Sequence, residues 1–210
     1  MRTNNPANIV VFVNNIFDLI AQAIADKSGN FTKFAHQFIE GLTVSVIQIN
    51  QFFYMEKKKV LIVTQEMQPY TALSESAEIA RKLPQDVQEK GVEIRVLMPR
   101  YGTINERRHR LHEVVRLSGM NIIVDDDDFP LIIKVASLPG ARMQVYFLDN
   151  EDFFKRKSVF EDSQGKPFDD NADRMVFFCK GVIETVKKFG WPPDIIHCHG
   201  WMISLVPRYL

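Results

Sequence analysis

The run Val60-Leu61-Ile62-Val63 constrains the fold of this chain more than any other stretch. It stands between Lys57, Lys58 and Lys59 on one side and Thr64, Gln65 and Glu66 on the other. A strand that buries one face alternates apolar with polar residues, so an unbroken apolar run bounded by charges describes a strand covered on both faces. Downstream, Ser74 is placed to cap a helix, and Glu75 and Glu78 fall in a first turn whose dipole favours negative charge. Ala77, Ala80, Leu83 and Val87 then recur at helical spacing, and Gly91 suits the left-handed residue that closes a helix. A second apolar run, Ile94 to Met98, ends at Pro99. Strand, helix and strand in this order make a right-handed crossover between parallel strands, so the expected class is α/β. Open parallel sheets bind ligands beyond the carboxyl ends of their strands. The loop Gln65 to Leu73 is therefore the first candidate site, and Glu66 has the position to reach a ligand.

Lys plus Arg and Asp plus Glu number 26 each, so no overall field draws the chain to nucleic acid or to an anionic membrane, and neither is expected as a partner. There are two cysteines, Cys179 and Cys198, and no basic, apolar, then small-residue leader at the start. A reducing cytoplasm is the expected compartment. Asn14, Asn15 and Asp18 interrupt the apolar N-terminal stretches, which fall short of the roughly 20 apolar residues of a membrane span.

Residues 1–54 differ in character from the rest. Ile9 to Ala25 has an apolar helical face, Phe31 to Ile39 fits a second short helix, and Leu42 to Phe53 is β-branched and aromatic. Two readings stand side by side: an accessory helical element, or translated upstream sequence ahead of a start at Met55. The domain proper is expected to occupy residues 55–210.

Past Arg100, the cluster Arg107-Arg108-His109-Arg110 reads as a solvated turn or, alternatively, as an anion or glucan contact. Val114 to Leu117, Met120 to Val124, Leu131 to Ala136 and Met143 to Leu148 are short apolar runs separated by turn signals, a pattern expected of antiparallel hairpins grafted onto the parallel sheet. Asp125 to Asp128 lack the alternating ligands and central glycine of a calcium loop, so a solvated acidic turn is expected and no metal site. Asn150 to Pro167 reads as a loop without structure of its own. Asp170 or Asn171 is placed to cap a helix with Met175, Phe178, Val182, Thr185, Val186 and Phe189 on one face and Gly190 at its end. Asp194 to His199 then reads as a buried strand, and Met202 to Leu210 as the start of a helix with no closing signal, which leaves the domain C-terminally incomplete.

His197 and His199 are two apart and share one face of an extended strand. Cys198 points the other way and no further His or Cys lies near, so zinc is not expected. At the end of a parallel strand a histidine either reaches the ligand crevice or is buried and satisfied by backbone, and the residues alone leave both open.

The segment Pro193-Asp194-Ile195-Ile196-His197-Cys198-His199-Gly200-Trp201 resembles the Pro-Asp-Ile-Val-His-x-His-Asp-Trp segment of bacterial glycogen synthases and plant starch synthases. Further collinear elements are Glu66-x-x-Pro69-Tyr70, Leu83-Pro84, Gly91-x-Glu93-Ile94-Arg95-Val96-x-Met98-Pro99-Arg100-Tyr101, Phe147-Leu148-Asp149-Asn150 and Asp170-Asn171-x-x-Arg174. The resemblance implies a Rossmann-like sheet with a hairpin insertion, the N-terminal half of a GT-B type glycosyltransferase. It implies glucose transfer from ADP-glucose to the non-reducing end of an α-1,4-glucan, with no cofactor beyond that donor substrate and with the C-terminal half supplied by a further domain or a partner chain. By the same resemblance His199 is the catalytic-cleft residue, and Glu66, Tyr70, Asp170 and Trp201 are substrate-binding. Two departures stand out. Ala72-Leu73-Ser74-Glu75-Ser76 replaces the family's Lys-Thr-Gly-Gly-Leu, and Gly200 replaces its aspartate. A non-catalytic glucan-binding or regulatory module derived from that domain is the alternative.

Overall fold

The computed structural model describes residues 58–210, and the expectations for residues 1–54 lie outside them. Strand β1 (Lys59–Thr64) is central, paired in parallel with β2 (Glu93–Pro99) on one side and β7 (Ile195–His199) on the other. Consecutive residues Val60 to Thr64 are all buried, as a strand covered on both faces requires. Helix α1 (Ser76–Glu89) makes the crossover and presents Ala77, Ala80 and Pro84 to the interior. It starts at Ser76 with Glu75 rather than Ser74 at the N-cap position, and the Ser74 hydroxyl donates to the Glu66 carboxylate at 2.6 Å while accepting the Ser76 N–H at 3.2 Å. Gly91, at φ 88°, follows the helix end as expected.

Between β2 and β7 the chain forms a short helix α2 (Glu106–His109), the two-residue strand β3 (His112–Glu113), the hairpin β4 (Met120–Val124) and β5 (Asp127–Ser137), then β6 (Gln144–Asp149). The sheet order is β3-β5-β6-β2-β1-β7, with β4 paired to β5. The hairpin insertion is present, with Asp125 and Asp126 at its exposed turn. Two expectations are corrected. The run Met143 to Leu148 belongs to the parallel sheet: β6 pairs in parallel with β2 on one edge and antiparallel with β5 on the other. Val114 to Leu117 is a turn, closed by Leu117 N–H to Val114 carbonyl at 2.9 Å, that swings Leu117 into the core and leaves Val115 exposed.

After β6, Asn150 caps the one-turn helix α3 (Glu151–Phe154) by accepting the Phe153 N–H at 3.1 Å, so the expected structureless loop begins with an ordered turn. Phe153 and Phe154 go into the core beside Phe177. Helix α4 (Asn171–Phe189) buries Phe177, Phe178, Val182, Thr185 and Phe189 and ends at left-handed Gly190. Beyond β7, the expected single helix is split into a 3-10 turn, Trp201–Ile203, and α5 (Val206–Tyr209), because Pro207 has no N–H to extend an unbroken helix through that point. Among the described residues no helix is long and apolar enough to cross a membrane.

The core of residues 58–210 draws chiefly on β1, β2, β5, β6 and α4. We propose that residues 55–210 are the folding unit, and we expect a chain starting at Met55 to retain one cooperative thermal transition; a broad, non-cooperative melt on deleting residues 1–54 would contradict this.

Candidate functional site

Four parallel strands, β6-β2-β1-β7, bring Asn150, Arg100, Gln65 and Gly200 to one edge of the sheet. The register pair Thr64 and His199 sets the last histidine of β7 beside the end of β1. His199 is half-buried, its ring centroid 4.2 Å from that of His197, and its Nε2 is buried without a hydrogen-bond partner. Burial, and then the neighbouring His197, push its pKa down to about 4. A buried ring nitrogen left unpaired at the mouth of a parallel sheet is poised for an incoming hydroxyl or phosphate oxygen. Burial also lowers the pKa of His197 and pushes the Cys198 thiol up to about 11, so the thiol stays protonated.

We expect His199 in the free chain to titrate near 4, well below the ordinary value of about 6.5. The unfolded chain takes up this proton first as pH falls. The stability that neutral His199 contributes is therefore full above about 6.5 and is lost progressively as pH falls from there through about 4. Histidine ring NMR checks this, and a midpoint near 6.5 contradicts the burial described here.

Asp170 precedes α4, but its carboxylate does not cap that helix. It forms a two-pronged ion pair with Arg156, one prong being Nη1 to Oδ1 at 2.8 Å. Burial pushes the Asp170 carboxyl up, yet the Arg156 hydrogen bond and charge, with help from Arg174, outweigh it and hold it below its ordinary range. Arg174 is fully buried, donating from Nε to the Phe153 carbonyl at 2.9 Å and from Nη1 to Asn171 at 2.6 Å. Trp201 is exposed just beyond β7, with its ring 4.9 Å from Phe160. Asn171 Nδ2 donates to the Phe160 carbonyl at 2.8 Å, which ties the Asp170 segment to the loop that carries the Trp201 contact. Asp170 and Trp201 are thus brought to one loop, and Trp201 follows His199 by a single turn.

Glu66 and Tyr70 belong to the β1–α1 loop, and their polar groups are taken by protein partners. Glu66 is buried and its carboxylate accepts Leu73 N–H at 2.6 Å, Ser74 N–H at 2.9 Å and the Ser74 hydroxyl. It holds the β1–α1 loop closed on itself. Tyr70 is buried between His109 and Phe147, each edge-on at 4.9 Å, and donates its hydroxyl to the Ser137 carbonyl at 3.3 Å. Burial raises its pKa to about 12, with Arg81 pulling the other way. Arg156 and Gln65 were not singled out by sequence reasoning; Arg174 was visible only as the last residue of Asp-Asn-x-x-Arg.

The description "Starch synthase catalytic domain" belongs to a family model that matches residues 59–210. The chain belongs to that family. Among relatives of the starch synthase catalytic domain, glycogen synthase from Chlorobium phaeobacteroides is 44% identical over 153 residues, covering 72% of this chain and 31% of the relative. Glycogen synthase from Chlorobaculum tepidum is 46% identical over 149 residues, 70% of this chain and 30% of the relative. The chain therefore spans about a third of the length of these relatives. The catalytic domain of starch synthase IV from Arabidopsis thaliana, a structure bound to ADP and acarbose, matches with TM-score 0.62 at 22% identity over 72% of this chain and 29% of that one. This likeness supports the fold alone, a Rossmann-like sheet corresponding to part of a GT-B catalytic domain.

Proposed function

We propose that this chain supplies the acceptor-side domain of a glucosyltransferase that moves glucose from ADP-glucose to the non-reducing end of an α-1,4-glucan. The observation that carries the proposal is His199, whose unpaired Nε2 lies at the carboxyl edge of a sheet belonging to the starch synthase catalytic domain family. In this reading His199 donates a hydrogen bond to the sugar being transferred, the Trp201 face stacks on a glucan ring, and Asp170 is held by Arg156 to accept from sugar hydroxyls. Glu66 and Tyr70 act indirectly, by fixing the loop between β1 and α1. The departing diphosphate needs fixed positive charge. Arg100 and Arg156 are already paired with carboxylates at this edge and Arg174 is fully buried, so that charge is assigned to a further domain or a partner chain. We assign the reaction to the cytoplasm, with ADP-glucose as donor and no resident metal or cofactor.

A second reading, a glucan-binding module without transfer, is favoured by one observation. The loop carries Ala72 where the family segment has lysine and Ser74 and Glu75 where it has glycines, and its Leu73 and Ser74 N–H groups are taken by Glu66 instead of being open to a phosphate.

Either way the 210-residue polypeptide alone is expected to co-sediment weakly with glycogen and to incorporate no label from radiolabelled ADP-glucose. Losing a single preorganised donor to a developing anion typically lowers a rate by about 10² to 10³, and here the phosphate-binding cations are wanting together. Clear incorporation would show that the catalytic groups have been misplaced.

A further inference from the structure

Gln65 and Gly200 lie side by side, each one residue beyond the register pair of Thr64 and His199. Gln65 N–H donates to the His199 carbonyl at 3.2 Å, extending the β1–β7 ladder by one bond. Gly200 has φ 102° and ψ 165°, a conformation that residues with a side chain enter only under strain. A Cβ at this position would run into Cγ, Cδ and Oε1 of Gln65. The same Oε1 accepts the Met202 N–H at 3.3 Å, inside the 3-10 turn whose N-cap position is Gly200. Glycine has no side chain with which to cap that turn, and a glutamine from the neighbouring strand provides the acceptor.

We propose that Gln65 is the positioning residue for His199, locking the His199-Gly200-Trp201 turn by filling the space beside Gly200 and capping the 3-10 helix from β1. The inference rests on the reading of His199 as the group that faces the sugar. A single residue separates His199 from Trp201, so any movement of the backbone at Gly200 displaces both. The family segment has an aspartate at this position, and a short polar side chain at an N-cap accepts hydrogen bonds from its own helix. Gln65 performs that task across the strands here. The two arrangements compete for the same volume, so a side chain at position 200 requires the Gln65 side chain to leave its present place and give up the Met202 N–H. This coupling joins residues far apart in sequence, and it accounts for Gly200 being tolerated where a capping residue is otherwise expected.

The test uses the 210-residue chain with Gln65→Ala, Gly200→Asn and the double substitution; asparagine caps as aspartate does without placing a charge near His199. Gln65→Ala is expected to lower the thermal midpoint by roughly 2–4 °C, the effect of a lost helix cap in a domain of this size. It is also expected to raise the His199 titration midpoint by about one unit, as water reaches the loosened ring. Gly200→Asn alone collides with Gln65 and lowers the thermal midpoint further. In the double variant the collision with Gln65 is gone while the strain of a side chain at φ 102° remains, so stability rises above that of Gly200→Asn and the combined loss falls short of the sum of the two single losses. Losses that simply add in the double variant, or a His199 midpoint unchanged by Gln65→Ala, overturn the proposal; the second readout decides even if Gly200→Asn fails to fold. Adding ADP-glucose or a maltooligosaccharide to the parent chain reports on the functional reading separately. Unperturbed His199 resonances in that experiment defeat the sugar-facing role of His199, whereas the coupling of Gln65 to Gly200 is judged by the variants alone.

Discussion

Replacing Asp149 with alanine is expected to destabilise the chain by about 3–5 kcal/mol, because it strips the shared partner from two largely buried cations. Asp149, at the end of β6, is almost wholly buried and stands between Arg100 at the end of β2 and Lys134 on β5. Arg100 Nε lies 3.0 Å from Oδ1, an ion pair rather than an aligned hydrogen bond, and Lys134 Nζ lies 2.8 Å from Oδ2. Burial pulls the Lys134 pKa down, but the hydrogen bonds it donates to Asp149 and Glu106 outweigh this and leave it raised. Glu106 reaches both cations, at 3.2 and 2.7 Å, yet it is itself partly exposed and cannot replace the buried carboxylate. The network fastens α2, β5, β2 and β6 together at the carboxyl edge where the site lies. Urea unfolding of Asp149→Ala measures the effect as a shifted midpoint at unchanged slope. A loss below about 1 kcal/mol would place the network among surface pairs of little weight and contradict the burial argument.

How much of this was legible in the residues differs from place to place. The β1–α1–β2 unit could be read directly, because a continuous apolar run, a periodic helix and a closing glycine each express local physics. The pairing of β6 could not. Met143 to Leu148 looks like one more hairpin strand, and its parallel partner β2 is chosen by the tertiary fold, with β5 taking the opposite edge. Position also outran contact at the site. The place of Glu66 after β1 was readable, but its three hydrogen bonds to Leu73 and Ser74 turn it inward to the loop. Asp170 was named, while Arg156, the residue that sets its charge, lies in a stretch read as structureless. Gln65 opened the candidate loop but carried no signal of its role, since its partners at His199 and Met202 come from the other end of the domain and only the β1–β7 register brings them together. An unpaired His199 Nε2 is likewise a property of the packed strand; sequence supplied the spacing of the two histidines and left their surroundings open.

The second large effect concerns His199 itself, and it is measured where the whole machinery is present. Residues 59–210 can replace the matching part of the Chlorobium phaeobacteroides glycogen synthase, to which this chain is 44% identical over 153 residues. In the proposed reading the remainder of that relative would supply the positive charge that this domain has already committed to Asp149 and Asp170 at its carboxyl edge. His199→Ala in the chimera is then expected to lower kcat by about 10² to 10³, the usual consequence of removing one preorganised hydrogen-bond donor from a transition state. Loss of fold is separated from loss of catalysis in this comparison, because thermal midpoints of both chimeras are recorded alongside and His199 Nε2 holds no hydrogen bond in the free domain that the substitution could break. The account predicts ADP-glucose-dependent incorporation of label into glycogen by the chimera and its near-abolition by His199→Ala; a folded chimera that binds glycogen without incorporation, or one whose rate is unchanged by His199→Ala, would contradict it.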